Sequence, residues 1–309
     1  MQNLGKVVVL FGGRSSEREV SLMSGSGVLA ALREKGVDAH AFDPAEEPLE
    51  TLLAGHYDRA FIALHGGAGE NGTIQGLLNH IGLPYTGPGV SASAISFDKE
   101  VTKTLWRAAG IPVPRGVAMK GDEEDDVLAR VIAEFGGTGL VVKPGRDGSS
   151  IGVSKLTAPT VESLREALEL ARRFCDEILV EEYIHGREFT VAVIRGRALP
   201  VIEIKAPEGS YDFQNKYYTD VVTYDCPADL PEEAAAQLRA YCEKAFRTVG
   251  ARGWSRIDAL QRPDGSFALL EINTAPGMTP HSLVPMAARA EGMDYGTLCM
   301  KLLEAAQVD

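Results

Sequence analysis

Four polar side chains near the C-terminal end of the chain have the types and spacing of a metal site. Asp264-Gly265 is a strong signal for a two-residue turn between alternating strands. A turn there places Asp258 opposite Glu271. It also places Arg256 opposite Asn273, and all four project from one face because residues two apart share a side of a strand. Opposed carboxylates repel, and a hard cation such as Mg²⁺ or Mn²⁺, bound by oxygen ligands, would relieve that repulsion.

The same register divides the rest of the hairpin into two faces. The face away from the carboxylates is expected to be the core face, with Ile257, Ala259, Ala268, Leu270 and Ile272. Phe267 and Leu269 are expected beside the carboxylates. Apolar neighbours there argue against the alternative, a solvated strand face whose acids align by chance.

A second motif combines a lysine with a glycine-rich turn in residues 141–152. Lys143 lies in a strand, and Gly145, Gly148, Ser149 and Ser150 follow it before a second strand. Backbone N–H groups of such a loop, with hydroxyls and a lysine, can cradle phosphate. The motif lacks GxxxxGK[ST] and does not lead into a helix, which excludes a P-loop NTPase. A plain hairpin with a surface lysine remains the alternative.

Acidic residues follow at the next strand end. Glu181 and Glu182 close one strand, Ile184 lies in the crossover, and Glu188 opens the next strand. Carboxylates at such a crossover can accept hydrogen bonds from ribose hydroxyls or an adenine amine. An ordinary solvated edge fits the local pattern equally well.

Two further candidates lie in the first third of the chain. Glu17 stands where a helix begins, so it is either an acid favoured by the helix dipole or a substrate ligand. His65 ends the third strand beside Gly66-Gly67, where strand-end residues reach active sites. A structural histidine is the alternative there. Four other histidines have no supporting pattern and are expected at the surface: His40, His56, His80 and His185.

The elements that must position these groups change character along the chain. Strands near residues 7–11, 37–42 and 60–64 alternate with helices, which predicts parallel βαβ units. A second unit of short strands and helices follows a helix at about 98–109. From about residue 187 the pattern is β-rich. It is interrupted by a tyrosine-rich stretch at 206–223, whose length without periodicity indicates a lid or functional loop.

Composition narrows the class of protein. The 309 residues are 45% hydrophobic and 24% charged, as in a soluble globular protein. The net charge of −12 argues against general binding to nucleic acid or to an anionic membrane. The four cysteines have no ligand-like spacing, and no apolar run approaches a membrane span. With no signal-peptide layout, a cytoplasmic location is expected.

In chain order, these motifs closely resemble the D-alanine–D-alanine ligase family of the ATP-grasp superfamily. The resemblance covers essentially the whole length, and its segments are Phe11–Ser21, Leu83–Gly89, Asp98-Lys99, Val142–Pro144, Gly148–Ser150, Lys216-Tyr217, Arg256–Asp258, Glu271–Met278 and His281–Pro285. Each segment is modest by itself, but their order over the full chain is highly specific.

The resemblance implies a mixed α/β and α+β fold. An N-terminal Rossmann-like parallel-sheet domain (1–97) would be followed by a two-domain ATP-grasp unit. That unit would consist of a central domain (98–185) and a C-terminal catalytic domain (186–309) carrying the lid. The implied reaction joins two D-alanines, with ATP, through a D-alanyl phosphate, for peptidoglycan precursor synthesis. A cytoplasmic homodimer is implied as well.

The resemblance also implies a role for each candidate residue. The residues that would contact the nucleotide are Lys99, Lys143, Glu181, Glu182, Ile184 and Glu188. Two Mg²⁺ or Mn²⁺ ions would be bound by Asp258, Glu271 and Asn273. Glu17 would receive the ammonium group of the first D-alanine and would be linked to the lid by Ser149 and Tyr217. Lys216 would lie near the transferred phosphoryl group, with His65, Ser282 and Leu283 at the substrate. Arg256 and the backbone N–H of Gly277 would form the oxyanion hole.

Other functions fit less well. A dehydrogenase would need GxGxxG where the chain has Gly12-Gly13-Arg14, and a catalytically dead ATP-binding protein would lack part of the set above. The serious alternative is another ATP-grasp ligase, for example one that makes D-alanyl-D-lactate. Tyr217 in the lid favours the dipeptide ligase.

Overall fold

The computed structural model describes residues 4–146, 148, 151–206 and 222–309 of the chain. Ser149, Lys216, Tyr217 and most of the predicted lid therefore lie outside the described residues. Within the described ranges, no helix has both the length and the apolar character needed to cross a bilayer.

The N-terminal part is a parallel sheet covered by helices, as predicted. Its strands are β1 (Lys6–Leu10), β2 (Asp38–Phe42) and β3 (Arg59–Ile62), in the order β2-β1-β3. The helices are α1 (Arg18–Glu34), α2 (Leu49–Ala54), α3 (Thr73–His80) and α4 (Val90–Phe97). The last of these was not predicted, because its serine- and alanine-rich sequence has no clear polar face. The parallel order brings the loops after β1 and β3 to one edge.

A four-stranded antiparallel sheet forms the central part, after helix α5 (Lys99–Ala108). Its elements are β4 (Gly116–Met119), α6 (Asp125–Glu134), β5 (Leu140–Pro144), β6 (Ser154–Leu156), α7 (Val161–Arg172) and β7 (Ile178–Glu182), with strand order β4-β7-β5-β6. Helices α6 and α7 cover one face.

The C-terminal part is a larger antiparallel sheet. Its strands are β8 (Arg187–Ile194), β9 (Arg197–Ala198), β10 (Ile202–Lys205), β11 (Thr223–Asp225), β12 (Trp254–Gln261) and β13 (Phe267–Asn273). The strand order is β11-β10-β8-β12-β13, with β9 paired to β8. The helices are α8 (Glu232–Thr248), α9 (Leu283–Ala290) and α10 (Tyr295–Glu304). All four cysteines are free, and Cys242 and Cys299 are buried in helices α8 and α10.

Apolar packing does not follow the predicted domain limits throughout. One core joins the parallel sheet to the C-terminal sheet, with Val9 and Leu32 packed in the same cluster as Trp254 and Leu302. A second core lies on the other side of the C-terminal sheet and takes in Trp106 of α5. Helix α5 therefore packs with the C-terminal sheet, although residues from 98 onward were predicted to belong to the central domain.

The hairpin of β12 and β13 has the predicted pairing, although its turn differs from the prediction. Arg256 pairs with Asn273 and Asp258 with Glu271, as expected. The turn is one residue longer than predicted, because Arg262 donates to Ser266 and Gly265, at a φ of 87°, closes a three-residue loop. A β-bulge after Asp258 absorbs the extra residue and restores the register.

The bulge makes the predicted faces wrong between Phe267 and Leu270. Ala259 pairs with Leu269, so Phe267 and Leu269 lie in the core with Ile257 and Ile272. Leu270 is the extra residue and turns to the other side, where it lines the cleft with the carboxylates. A bulge reverses the alternation of side chains on one strand only, and an alternating pattern read from sequence does not reveal it.

Candidate active site

A cleft of about 860 Å³ lies between the central and C-terminal sheets. It is lined by every described residue predicted to contact the nucleotide and by two of the three predicted metal ligands: Lys99, Lys143, Glu181, Glu182, Ile184, Glu188, Asp258 and Glu271. Asn273 borders a smaller adjoining cavity together with Lys99, Gly148 and Glu271. The volume falls in the range of small-molecule sites.

A buried carboxylate between two lysines forms the wall from the central sheet. Glu181 Oε2 lies 2.7 Å from Lys143 Nζ, and Glu181 Oε1 accepts a hydrogen bond from Lys103 of α5. Burial by itself would raise the pKa of Glu181, but the two ammonium groups hold it below its usual value. Burial lowers the pKa of Lys103 to about 7, against the opposing charge of Glu181. Lys103 was not predicted as a site residue, although it lies one helical turn after Lys99.

Glu182 is engaged on the opposite side of its strand. Neighbouring residues of a strand point to opposite faces, and the Glu182 carboxylate accepts bonds of 2.8 Å from Arg262 Nη2 and from the backbone N–H of Arg115. The part of Glu182 that faces the cleft is therefore its main chain. His185, expected only as a surface residue, lies at the cleft with its ring 4.1 Å from that of Tyr183.

Asp258 accepts four hydrogen bonds from neighbouring side chains. Arg256 donates from Nε to Oδ1 at 2.9 Å and from Nη2 to Oδ2 at 2.8 Å. Thr190 Oγ1 donates to Oδ1 at 2.6 Å, and Asn273 Nδ2 donates to Oδ2 at 3.1 Å. These bonds use two of the five N–H donors of the guanidinium. They fix Arg256 and Asn273 relative to one carboxylate.

The hairpin fits a hard divalent cation. Glu271 is opposite Asp258 and lies 3.4 Å from Lys99 Nζ, so cationic side chains now offset both carboxylates. Asn273 donates through its nitrogen, which leaves its carbonyl oxygen as the ligand atom. No cluster of three or more His, Cys, Asp or Glu side chains suited to a metal occurs among the described residues. The two carboxylates and the Asn273 carbonyl oxygen are hard oxygen donors of the kind that Mg²⁺ takes together with substrate phosphates.

Glu17 is buried at the start of α1 and lies against two glycines. A Cβ atom at Gly148 would come within 2.7 Å of Glu17 Oε1, and one at Gly66 within 3.4 Å. The loop after β3 and the glycine-rich loop of the central sheet therefore converge on this carboxylate. Glu70 is nearby, and burial together with the charge of Glu17 raises its pKa to about 8.

His65 is buried and joins the N-terminal part to the segment after β13. Its Nδ1 lies 2.7 Å from the carbonyl oxygen of Ala275, and its Nε2 lies 2.8 Å from Ser24 Oγ. Both ring nitrogens are thus bonded to protein atoms. Burial lowers the pKa of His65, which favours the neutral ring. His65 is placed near the site, but it acts there on the backbone.

Gly277 and Ser282 face each other at the end of this segment. A Cβ atom at Gly277 would lie 3.1 Å from Ser282 Oγ, which also accepts the backbone N–H of Thr279 at 3.0 Å. Leu283 is buried at the start of α9. The structure therefore gathers the described candidates into one continuous region that runs from the cleft to Glu17 and Ser282.

Comparison with known proteins shows the family to which the chain belongs. Two family models match, D-ala D-ala ligase N-terminus over residues 39–88 and D-ala D-ala ligase C-terminus over residues 105–304. The D-alanine–D-alanine ligase of Aromatoleum aromaticum is 53% identical over 304 residues, covering 98% of this chain and 96% of the relative. That of Delftia acidovorans is 53% identical over 313 residues, covering 99% and 94%.

Solved structures agree. The D-alanine–D-alanine ligase from Bacillus anthracis in complex with ATP superposes with a TM-score of 0.83 at 29% identity, over 97% of each chain. The VanG D-Ala:D-Ser ligase from Enterococcus faecalis gives 0.83 at 28% identity, over 98% of this chain and 99% of that chain. Sequence and structure lead to one conclusion: this chain belongs to the D-alanine–D-alanine ligase family, with its ATP-grasp fold.

Proposed function

We propose that this chain joins two molecules of D-alanine into D-alanyl-D-alanine, with conversion of ATP to ADP and phosphate, to supply a peptidoglycan precursor. The observation that carries the proposal is the cleft in which Lys99 and Lys143 face the carboxylates of Asp258 and Glu271. Lysines opposite carboxylates suit a nucleoside triphosphate with its metal counter-ions. The full-length similarity to D-alanine–D-alanine ligases supports the choice of substrate.

The first step activates a carboxylate. An oxygen of the first D-alanine attacks the γ-phosphorus of ATP, the bond to ADP breaks, and a D-alanyl phosphate results. Phosphoryl transfer depends on positioning and on neutralising charge. In the proposed arrangement Lys99 and Lys143 hold the phosphates, while Ile184 and the main chain of Glu182 contact the base. Glu188 would reach the ribose, and Glu17 would hold the ammonium group of the amino acid.

Asp258, Glu271 and Asn273 would hold the divalent ions, Mg²⁺ or Mn²⁺. When bound, these ions supply positive charge for the phosphate oxygens. The chain supports this through the order of the hairpin, because Thr190 and Arg256 orient the Asp258 carboxylate before any cation arrives.

The second step forms the peptide bond. The amine of the second D-alanine attacks the acyl carbon, phosphate leaves, and the nitrogen loses a proton. Negative charge grows on the acyl oxygen, and Arg256 with the backbone N–H of Gly277 would stabilise it. Ser282 and Leu283 would seat the second amino acid. Lys216 and Tyr217 would close the site from the lid and exclude water, and Ser149 with Tyr217 would link Glu17 to the lid.

We further propose that the protein acts as a homodimer in the cytoplasm, in three units near the predicted limits. The packing of Trp106 with the C-terminal sheet supports a central unit that begins after α5, at about residue 112.

The deciding test is phosphate release from ATP and Mg²⁺ with D-alanine, L-alanine, or D-alanine plus D-lactate or D-serine, with products identified by mass. We expect release with D-alanine alone and D-alanyl-D-alanine as product. Release only with a second acceptor would replace the dipeptide assignment with that of a depsipeptide or mixed ligase. Absence of release with every pair would reject the catalytic proposal.

The metal assignment has its own test. Glu271→Gln keeps the size of the side chain but removes a charge, so we expect a higher Mg²⁺ concentration for half-maximal rate and an unchanged melting temperature. Glu50→Gln, a matched change on the exposed side of α2, should leave the Mg²⁺ requirement as it is. An unaltered Mg²⁺ titration for Glu271→Gln would refute the role.

A further inference from the structure

We propose that Ser24 is a positioning residue, which with His65 holds the backbone of residues 275–278 so that the Gly277 N–H meets the reacting acyl oxygen. This inference rests on the proposed function, because it assigns a partner to the oxyanion donor named there. We call the Ser24–His65 pair and its two backbone contacts the clasp.

The clasp consists of three hydrogen bonds in series. The His65 ring donates from Nδ1 to the Ala275 carbonyl oxygen at 2.7 Å, and its Nε2 lies 2.8 Å from Ser24 Oγ. Ser24 Oγ also accepts the backbone N–H of Met278 at 3.1 Å. Ser24, His65, Ala275 and Met278 are all buried. The clasp thus holds both ends of the segment that contains Gly277.

Only one proton arrangement satisfies all three bonds with a neutral ring. A carbonyl oxygen accepts only, so Nδ1 must carry the proton and Nε2 must accept. The Ser24 hydroxyl then donates to Nε2 and uses a lone pair for Met278. The lowered pKa of His65, caused by its burial, agrees with this neutral tautomer. A ring proton on Nε2 would leave the Ser24 hydroxyl proton without this acceptor.

Further bonds hold the residues that follow Gly277. The Met278 carbonyl oxygen accepts from Tyr295 at 2.5 Å, and Ser282 Oγ accepts from the Thr279 N–H at 3.0 Å. Residues 274–276 and 278 are buried, whereas Gly277 is partly exposed. The flanking bonds therefore present Gly277 at the site from a rigid support.

The clasp also relates two parts of the substrate site. Glu17 and Ser24 are seven residues apart at the start of and within α1, which places them on one face about 10 Å apart along the axis. One helix then sets the position of the ammonium ligand and, through the clasp, that of the oxyanion donor. A displacement of about 1 Å at such a donor can cost a hundredfold in rate.

Ser21 provides a matched control on the same helix. It is as buried as Ser24 and also makes two bonds, from the Gly12 N–H at 2.8 Å and to the Ala63 carbonyl oxygen at 2.7 Å. Both of its partners lie in the N-terminal part. Ser21→Ala therefore removes a buried hydroxyl from α1 without affecting the segment 275–278.

The test compares Ser24→Ala with Ser21→Ala by two measurements. The first is the exchange rate of the Met278 and Gly12 amides, followed by NMR. We expect Met278 to exchange about tenfold faster or more in Ser24→Ala only, and Gly12 in Ser21→Ala only. The second is kinetics of dipeptide formation, in which Ser24→Ala should lose about 10–100-fold in kcat with KM for ATP unchanged. Ser24→Cys should fall between Ser24→Ala and the unmodified protein.

The outcomes separate the clasp from the proposed function. Unchanged Met278 exchange in Ser24→Ala, or equal losses of kcat in both alanine variants, would overturn the clasp while dipeptide formation by the unmodified protein stands. An unmodified protein that makes no D-alanyl-D-alanine would overturn the proposed function and the catalytic role of Ser24 with it. If Ser24→Ala does not fold, Ser24→Cys carries the same comparison.

Discussion

The central sheet and the rest of the molecule are packed in different ways. Among the described residues, the apolar core of the central sheet is drawn entirely from residues 117–180. The parallel sheet and the C-terminal sheet instead share one core, in which Val9 packs in the same cluster as Trp254 and Leu302. Two regions that are far apart in sequence are therefore joined more firmly than two that are adjacent.

The central sheet is tied to its neighbours by polar contacts. Lys103 of α5 bonds to Glu181, Arg146 bonds to Asp98 at 2.7 Å, and Arg262 bonds to Glu182 at 2.8 Å. Such contacts can be exchanged for water or for ligand groups at modest cost, whereas an apolar core cannot be opened without a large loss. The proposed nucleotide cleft therefore lies at the junction held by polar contacts, the adjustable junction. The proposed acyl-transfer groups lie at the junction held by the shared core, the fixed junction.

The largest expected effect comes from a cavity in either core. Leu164→Ala in the central core and Leu302→Ala in the shared core should each cost about 2–5 kcal/mol. Both tryptophans, Trp106 and Trp254, pack outside the central core. Urea unfolding of Leu164→Ala should therefore move the far-UV CD transition but not the tryptophan fluorescence transition. Leu302→Ala should move the fluorescence transition.

Coincident CD and fluorescence transitions in Leu164→Ala would contradict the separation of the two cores, because they would show that the central sheet unfolds together with the rest. The unmodified protein serves as the reference for both probes.

The next effect concerns chemistry at the fixed junction. Arg256→Ala removes a proposed oxyanion donor, so kcat should fall by about 10²–10³-fold. It also removes two bonds from Asp258, so the Mg²⁺ requirement should rise, while KM for ATP at saturating Mg²⁺ should change little. Steady-state kinetics at saturating Mg²⁺ measures both. Retained kcat would remove Arg256 from the oxyanion hole. A rise in KM for ATP of similar size would show that the two junctions are not functionally separate.

A smaller effect is expected at the adjustable junction. We infer that Lys103 keeps Glu181 neutralised when Lys143 turns to the ATP phosphates. With a Lys103 pKa of about 7, the ammonium form is complete below that pH and is lost above it. KM for ATP should therefore rise as the pH increases through 7, by about tenfold if one charged contact of about 1.4 kcal/mol is lost.

Lys103→Met should have, at every pH, the raised KM for ATP that the unmodified protein reaches only above pH 7. Its KM should therefore show no such rise with pH. Lys120→Met, which removes a charge from an exposed position near β4, is the control and should behave like the unmodified protein. A pH-dependent KM that persists in Lys103→Met would assign the titration to another group.

The sequence predicted the hairpin pairing for a reason that is only partly right. Asp258 faces Glu271 because a longer turn and a bulge compensate each other, and neither is visible in the alternation of residues. The βαβ units were predictable because buried parallel strands and their glycine-rich loops have strong local patterns. The nucleotide candidates could be named because the family motifs are contiguous in sequence.

The features that the sequence did not predict depend on contacts between residues far apart in the chain. In the sequence, Lys103 has the pattern of an ordinary helix residue, and only the fold shows that Glu181 of β7 lies against it. Ser24 differs from Ser21 only in reaching a segment more than 250 positions away, at Met278. The packing of Trp106 with α8, through a bond of 3.2 Å to the Ala245 carbonyl oxygen, likewise depends on chain topology. Local propensity contains no information on such pairs.

The smallest expected effect is a change in the pH dependence of stability, caused by Glu70 at the fixed junction. Glu70 has a folded-state pKa of about 8, mainly because of burial and the nearby Glu17, against an ordinary value of 4.5. Between these pH values the folded protein holds a proton that the unfolded chain has released, so stability should fall as the pH rises from about 4.5 to 8. Glu70→Gln should flatten that fall, whereas Glu50→Gln should not. Urea midpoints at pH 5, 6, 7 and 8 give the slopes. Parallel slopes in Glu70→Gln and the unmodified protein would show that Glu70 is solvated, and that the junction around Glu17 is more open than the shared core implies.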